Sequence, residues 1–276
     1  MDKKINFIFF GTPDVASETL GILKMNDFCP SLIVTSPDAK AGRGMHTQAT
    51  PVAKFAEDNN IPCIKPEKLN EGELPQADLY IVVAYGKIIA ENILNKPKLG
   101  SINIHYSLLP KYRGASPVES VILNGDTETG VTIQKMTYAM DAGDIIVQEK
   151  VAIGPDETAP DLRKRLIKIG GELLVKTLPD FMNKKIKPVP QNGSLASVCK
   201  KIKKEDGLID PNDNPVKNYN KFRAYHAWPR IFFFKGEKRF IITDAALENG
   251  PLDPARGKKF VIKKVIPESG KEIDYK

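Results

Sequence analysis

Asn103 and His105 lie two positions apart in the apolar segment SINIHYS, which runs into a turn containing Pro110 and Gly114. Residues i and i+2 of a β-strand project from the same face, and open α/β sheets bind ligands at the carboxyl ends of their strands. A side-chain amide can stabilise an oxyanion, and an imidazole can move a proton near neutral pH. A lone strand histidine is more often a hydrogen-bonded core residue, but the Asn-x-His pair followed by SLLP favours a catalytic site.

A partner for the imidazole is available in the segment MDAGD, which follows another strand-like run. This segment places Asp141 and Asp144 on a loop that contains Gly143. A carboxylate beside a histidine orients the ring and stabilises its charged form. The residues therefore predict that one of the two carboxylates acts on His105, and they leave open which one.

Strand-like and helix-like segments alternate through the first two thirds of the chain. The predicted strands are INFIFF, SLIVT, DLYIVVAY, SINIHYS, GVTIQKM and DIIVQEKVAI. The predicted helices are DVASETLGILK, PVAKFAEDNN, KIIAENIL, SPVESVILNG and the long amphipathic segment 161–182. Strands that are apolar on both faces and alternate with helices form mostly parallel sheets covered on both sides. We therefore predict an α/β fold.

The first strand-to-helix turn, GTPD, bears on the choice of cofactor. A dinucleotide-binding turn needs the pattern G-x-G-x-x-G, and only Gly11 is present here. Pro13 has no backbone N–H to donate to a phosphate. A nicotinamide-dependent dehydrogenase is therefore disfavoured, and we interpret the turn as a tight start of the helix.

The composition changes after residue 182. A polar linker with two prolines covers 183–204, and short β-type runs separated by Gly and Pro follow in 205–276. Residues 181–276 contain 21 Lys and Arg against 11 Asp and Glu, whereas residues 1–180 contain 20 against 23. Clustered basic residues favour a polyanionic partner, because binding phosphates releases counterions. A lysine-rich surface that only keeps the protein soluble is the alternative.

Cysteine content and hydropathy predict the compartment. The three cysteines show no paired spacing, so we predict neither a disulfide framework nor a zinc site, and we expect Cys29, Cys63 and Cys199 to be reduced packing residues. The N-terminal apolar stretch stops too early for a signal peptide, and no apolar run reaches the roughly 18 residues of a membrane span. We therefore expect a cytoplasmic protein.

The segment NIHYSLLPKYRGASPV, together with ETGVTIQKM and MDAGDII, resembles the catalytic signature of the 10-formyltetrahydrofolate-dependent formyltransferases. FFGTPDVA, SPDAKAGRG, VVAYGKII, KKIKKEDGLID and RAYHAWPR are similar to the branch of that family that acts on initiator methionyl-tRNA. The resemblance implies a Rossmann-like formyltransferase domain over 1–182 and a small OB-like β domain over 205–276, shorter than is usual for the family. It also implies that Asn103, His105 and Asp141 are catalytic and that no metal takes part.

By this resemblance, the reaction transfers a formyl group from 10-formyltetrahydrofolate to the α-amino group of methionine on initiator methionyl-tRNA. Asn103 would stabilise the oxyanion, and His105, held charged by Asp141, would pass a proton to the leaving nitrogen. The residues implied to bind the folate are Ala84, Tyr85, Gly86, Lys87, Ser107, Leu108, Leu109, Pro110 and Asp144. The alternatives are a sugar N-formyltransferase acting on a nucleotide-linked amino sugar and a non-catalytic RNA-binding protein.

The tRNA is expected to bind in two regions of the chain. The polar loop SPDAKAGRG supplies one, and the basic C-terminal third supplies the other. The residues implied to contact tRNA are Lys40, Arg43, Lys200, Lys201, Lys203 and Lys204. We interpret Trp228 as a core anchor of the small domain, and we expect a monomer that does not bind a membrane.

Overall fold

The structure is a computed structural model that describes residues 5–41, 46–249 and 257–275, with the backbone alone at positions 40 and 41. The chain divides into two compact units that interleave along the sequence. The first unit contains residues 1–113, 130–150 and 165–197, and the second contains residues 114–129, 151–164 and 198–276. The domain boundaries at 182 and 204 stay predictions.

The described residues contain fifteen strands, several of them only two or three residues long. In chain order they are β1 (Phe7–Gly11), β2 (Leu32–Val34), β3 (Ala39–Ala41), β4 (His46–Gln48), β5 (Cys63–Ile64), β6 (Leu79–Val83), β7 (Ser101–His105), β8 (Arg113–Gly114), β9 (Glu128–Lys135), β10 (Ile145–Ala152), β11 (Val198–Cys199), β12 (Phe232–Lys235), β13 (Lys238–Asn249), β14 (Lys258–Pro267) and β15 (Ile273–Asp274). The α-helices are α1 (Asp14–Met25), α2 (Pro51–Asp58), α3 (Glu91–Leu94), α4 (Pro117–Leu123), α5 (Ala159–Met182) and α6 (Pro215–Ala224).

Seven strands form one sheet in the order β10-β9-β7-β6-β1-β2-β5. The five strands from β7 to β5 run parallel, and β9 runs antiparallel to β7. Every residue of β1 and β6 is buried, as expected for central strands covered on both faces. The sheet therefore has a parallel core, and β7 lies between that core and the antiparallel strand β9.

Helix α1 packs so closely against the sheet that the turn before it requires glycine. A Cβ at Gly11 would lie 2.5 Å from the Cβ of Ala16 and 2.9 Å from the carbonyl oxygen of Val83. The helix then buries Ala16, Thr19, Leu20 and Leu23, which share one face at helical spacing. The backbone N–H of Ala16 bonds to the carbonyl of Pro13, which confirms the predicted tight helix start.

The second unit contains a four-stranded antiparallel sheet, β12-β13-β14-β15, and helices α4 and α6. Helix α6 begins at Pro215 after the cap Asn214 and carries a buried arginine, Arg223. The Arg223 guanidinium donates to Asn220 Oδ1 at 2.7 Å and to the carbonyl oxygen of Glu157 at 3.3 Å. Burial lowers the pKa of this guanidinium. The first bond lies within α6, and the second connects α6 to the segment 151–164 of the same unit.

The predicted fold class is confirmed, because a mostly parallel α/β sheet and a C-terminal antiparallel sheet are both present. The interpretation of Trp228 as a core anchor is wrong, since its side chain is 55% exposed. Of the three cysteines, all free, Cys199 is buried but Cys29 is exposed, so a packing role is wrong for Cys29. No helix within the described ranges is both long and apolar enough to cross a membrane.

Candidate active site

His105 is the last residue of β7 and is 5% exposed. Its Nε2 atom lies 2.9 Å from the carbonyl oxygen of Tyr112. A carbonyl oxygen only accepts hydrogen bonds, so Nε2 carries a proton and donates it. Nδ1, on the side of the ring that faces Asp141, is therefore the ring nitrogen left to exchange a proton with another molecule.

Asp141 reaches His105 from the loop between β9 and β10. Its Oδ2 atom lies 3.6 Å from Nδ1 of His105, close enough for an ion pair but too long for a good hydrogen bond. The backbone of Asp141 has φ of 50°, a left-handed conformation that Asp adopts more readily than most residues. Of the two carboxylates that the sequence left open, the structure therefore brings Asp141 beside the imidazole.

Asn103 lies two residues before His105 on β7. Its Nδ2 atom donates a hydrogen bond to the carbonyl oxygen of Val82 on the neighbouring strand β6, at 3.0 Å. The amide has two N–H groups, and among the described residues Val82 provides the protein acceptor for one of them. The second N–H can donate to a substrate oxygen. Asn103, His105 and Asp141 therefore bring together an N–H donor, an imidazole and a carboxylate, which are groups that can catalyse acyl transfer.

Three further side chains connect to this cluster, and the sequence patterns did not predict them. Gln134 on β9 donates from Nε2 to Asp141 Oδ1 at 2.9 Å and lies 3.4 Å from Asn103 Oδ1. Gln191 donates to the carbonyl oxygens of Asp141 and Gly143, and Arg113 donates to Gln191. The alternation of polar Thr132 and Gln134 in GVTIQKM was a usable signal, because it mirrors Asn103-x-His105 on the facing strand. Nothing local in the sequence distinguished Gln191.

The segment after β7 is held by hydrogen bonds within the first unit. Thr132 Oγ1 donates to the carbonyl oxygen of Ser107 at 2.6 Å and accepts from the backbone N–H of Leu109 at 3.2 Å. The Ser107 hydroxyl donates to the carbonyl oxygen of Lys111 at 2.6 Å. Of the four folate residues predicted here, Ser107 and Leu109 are buried, while Leu108 and Pro110 are partly exposed. The hydroxyl of Ser107 is thus already used inside the turn.

The predicted folate turn after β6 has an unusual backbone. Ala84 has φ of 46° and Gly86 has φ of 80°, and both residues are exposed. Thr12 donates to the carbonyl oxygen of Tyr85 at 2.9 Å, while the Tyr85 ring is buried and burial raises the pKa of its hydroxyl. A strained, exposed backbone of this kind is common at ligand-binding sites.

The remaining predicted site residues occupy different settings. Lys87 donates its ammonium to the carbonyl oxygens of Pro66 and Glu67, both at 2.9 Å, so it braces the turn. The Asp144 carbonyl oxygen accepts from the backbone N–H of Lys135 at 2.9 Å. The folate contacts stay predictions. Within the described part of the chain, His, Cys, Asp and Glu side chains form no group of three or more that could hold a metal ion.

The predicted tRNA contacts are partly described. Lys40 belongs to β3, which pairs with β4 in a two-stranded hairpin. Arg43 lies outside the described residues. The four lysines of the second unit are all exposed: Lys200, Lys201, Lys203 and Lys204. Exposed lysines of this kind can contact phosphates without reading sequence.

Comparison with known proteins identifies the family. The model for formyl transferases matches residues 3–178, and the model for the formyl transferase C-terminal domain matches residues 201–273. A methionyl-tRNA formyltransferase of Thermotoga maritima is 41% identical over 248 residues, which cover 87% of this chain and 79% of the relative.

Solved structures share the fold at lower identity. An N-formyltransferase from Helicobacter canadensis, solved with folinic acid and dTDP-3-aminofucose, has a TM-score of 0.72 and 22% identity and covers 94% of this chain and 98% of its own. A methionyl-tRNA formyltransferase from Clostridium thermocellum has a TM-score of 0.59 and 19% identity and covers 98% and 100%. The chain therefore belongs to the formyl transferase family and is an enzyme that transfers a formyl group from a formyl-tetrahydrofolate donor.

Proposed function

We propose that this enzyme formylates the α-amino group of methionine on initiator methionyl-tRNA, with 10-formyltetrahydrofolate as the donor. The observation that carries the proposal is the 41% identity to a protein named for this reaction, over 87% of the chain. The exposed lysines at 200, 201, 203 and 204 support a polyanionic acceptor. The reaction requires charged tRNA, which agrees with the expected cytoplasmic location.

The site supports direct transfer without a covalent enzyme intermediate. The methionine nitrogen attacks the formyl carbon, and a new C–N bond forms while negative charge develops on the formyl oxygen. The second N–H of Asn103 donates to that oxygen as its charge grows. Because the Asn103 N–H is already positioned in the folded enzyme, this hydrogen bond stabilises the transition state more than it stabilises the bound substrate.

His105 completes the transfer by moving a proton. The Nδ1 proton passes to N10 of the folate as the C–N10 bond breaks, and Nδ1 recovers a proton from the attacking amine. The Asp141 carboxylate, 3.6 Å away, stabilises the positive imidazolium. The products are formylmethionyl-tRNA and tetrahydrofolate, so atoms and protons balance without a metal or an oxidant.

A sugar N-formyltransferase is the second candidate, because the structure from Helicobacter canadensis was solved with a nucleotide-linked amino sugar and shares this fold. At 22% identity that likeness shows the fold alone. A nucleotide sugar offers only a diphosphate to a basic surface, whereas a tRNA offers a phosphate chain. The charge of the C-terminal third therefore favours the tRNA.

The experiment incubates the enzyme with 10-formyltetrahydrofolate and either methionyl-tRNA or a nucleotide-linked amino sugar, and follows each acceptor by mass spectrometry. We expect one formyl group on the methionine of the tRNA and none on the sugar. A formyl group on the sugar alone would overturn the proposal in favour of the second candidate. Binding of tRNA with no transfer to either acceptor would point to a non-catalytic RNA-binding protein.

The same preparation tests the expected monomer. Light scattering coupled to gel filtration gives the mass directly, and a monomer would elute near the chain mass of 30.6 kDa. A mass of twice that value would replace the prediction with a dimer.

A further inference from the structure

Gln134 faces Asn103 across two neighbouring strands. The strands β7 and β9 run antiparallel, and in their register Asn103 is directly opposite Gln134, as His105 is opposite Thr132. Side chains directly opposite each other in such a pair project from the same face and lie close together. Gln134 is only 2% exposed. A buried side-chain amide needs hydrogen-bond partners for its nitrogen and its oxygen, so these partners indicate which groups it positions.

The amide nitrogen of Gln134 points at the two polar groups that flank His105. Its Nε2 atom donates to Asp141 Oδ1 at 2.9 Å and lies 3.4 Å from Asn103 Oδ1. The first bond leaves Asp141 Oδ2 turned toward His105. The second favours the Asn103 orientation in which its nitrogen, and not its oxygen, is directed away from Gln134.

The orientation of Gln134 is fixed by a chain of donors that begins at Arg113. A guanidinium can only donate, and Arg113 donates from Nε and Nη2 to Gln191 Oε1 at 3.1 and 2.7 Å. The Gln191 oxygen therefore faces Arg113, and its nitrogen must face the other way. That nitrogen lies 3.3 Å from Gln134 Oε1, so the Gln134 oxygen faces Gln191 and the Gln134 nitrogen is directed at Asp141 and Asn103.

Gln191 also holds the loop that carries Asp141. Its Nε2 atom lies 2.9 Å from the carbonyl oxygen of Asp141 and 2.7 Å from that of Gly143. The Asp141 loop and the Gln134 amide are thus joined to the same side chain. All of these residues belong to the first unit.

We propose that Gln134 is a positioning residue for formyl transfer, holding the Asp141 carboxylate and the Asn103 amide in one geometry, with its own orientation set by Gln191 and Arg113. The inference rests on the proposed function of Asn103, His105 and Asp141. Gln134 does not touch the reacting atoms; it acts through the two side chains that do. Replacing Gln134 should therefore slow the chemical step and leave the binding of 10-formyltetrahydrofolate nearly unchanged.

Two substitutions separate this role from a purely structural one. Gln134→Met keeps the length and volume of the side chain but removes its donor, and we expect kcat to fall about 10- to 100-fold because a hydrogen bond to a charged group is lost. Gln134→Glu keeps an acceptor for Gln191 but places a second carboxylate against Asp141, and we expect a larger fall in kcat. The KM for 10-formyltetrahydrofolate should change less than about threefold in both variants.

The background of Asp141→Asn provides the decisive comparison. Of the two side chains through which Gln134 acts, only Asn103 keeps its role in that background, so adding Gln134→Met should lower kcat by a clearly smaller factor than it does in the wild-type enzyme. Equal falls in both backgrounds, or a Gln134→Met enzyme as active as wild type, would overturn the inference. If Gln134→Met does not fold, as judged by circular dichroism, the same comparison with Gln134→Glu decides the question.

The kinetics are measured on whichever acceptor the wild-type enzyme formylates. The identity of that acceptor tests the proposed function, whereas the ratio of variant to wild type tests the role of Gln134. A failure of one is therefore distinguishable from a failure of the other.

Discussion

Replacing Asp141 by Asn removes the negative charge beside His105 while keeping the shape of the side chain. Gln134 Nε2 donates to Oδ1 at this position, so the new amide oxygen would stay toward Gln134. The new NH2 group would then face Nδ1 of His105, which could only accept from it. Because Nε2 remains bound to the Tyr112 carbonyl, Nδ1 would then have no proton to pass to the substrate.

The size of the effect can be bounded from the distance. Two unit charges 3.6 Å apart interact by about 4 to 5 kcal/mol at the effective dielectric constant of about 20 that suits protein sites. Part of this is offset by the solvation that the charged pair gives up. Since about 1.4 kcal/mol corresponds to a factor of ten in rate, we expect kcat to fall about 100- to 1000-fold.

Rapid quenching of single turnovers at saturating 10-formyltetrahydrofolate measures the chemical step without product release. Asp78→Asn is the matched control, because Asp78 pairs with Lys98 at 3.2 Å just before β6 and lies outside the proposed site. The control should transfer formyl groups at the wild-type rate. A folded Asp141→Asn enzyme within about fivefold of wild type would refute the assigned ion pair.

Three other predictions follow from the same structure. His105→Ala should lower kcat about 100- to 10,000-fold, as loss of a general acid does, with little change in donor affinity by calorimetry; near-normal turnover would remove the proton-transfer role. Alanine at the four exposed lysines 200, 201, 203 and 204 should raise the KM for tRNA and reduce the slope of log KM against log salt concentration by up to about 4. As a control, alanine at the exposed helical lysines 54, 164, 168 and 176 should leave that slope unchanged. Burial and the hydrogen bond to Asp156 raise the pKa of Tyr219 to about 12. The contribution of Tyr219 to the free energy of unfolding should therefore be complete below pH about 10 and be lost as the pH rises through about 12. Urea unfolding should show a smaller loss of stability at alkaline pH for Tyr219→Phe than for the wild type.

The fold was predictable from the sequence where burial dictates the pattern. Strands β1 and β6 are buried along their whole length, and their continuous apolar runs are what such burial requires. Helix α3 begins at Glu91 and is shorter than predicted. Lys87 lies before the helix, and its ammonium donates a hydrogen bond to the carbonyl oxygen of Pro66. Helix α6 was not predicted at all, since its buried face contains Asn220 and Arg223, which a hydropathy pattern assigns to the surface.

The candidate site likewise contains residues that the sequence pattern predicted and residues that it did not. Asn103 and His105 were found because polar residues at alternate positions stand out in an apolar strand. The position of Asp141 depends on a loop and came from family resemblance. Gln191 lies within the segment predicted as a linker, yet it donates to the Asp141 loop 2.7 to 2.9 Å away. Contacts between segments so far apart along the chain leave no local pattern in the sequence.

The roles of Asn103 and His105 can be tested by a crystal structure of the enzyme with a non-reactive formyl-folate analogue and a methionyl-adenosine mimic. We expect the formyl oxygen within about 3.2 Å of Asn103 Nδ2, and the nitrogen that carries the formyl group near His105 Nδ1. A formyl group bound away from both side chains would contradict these roles.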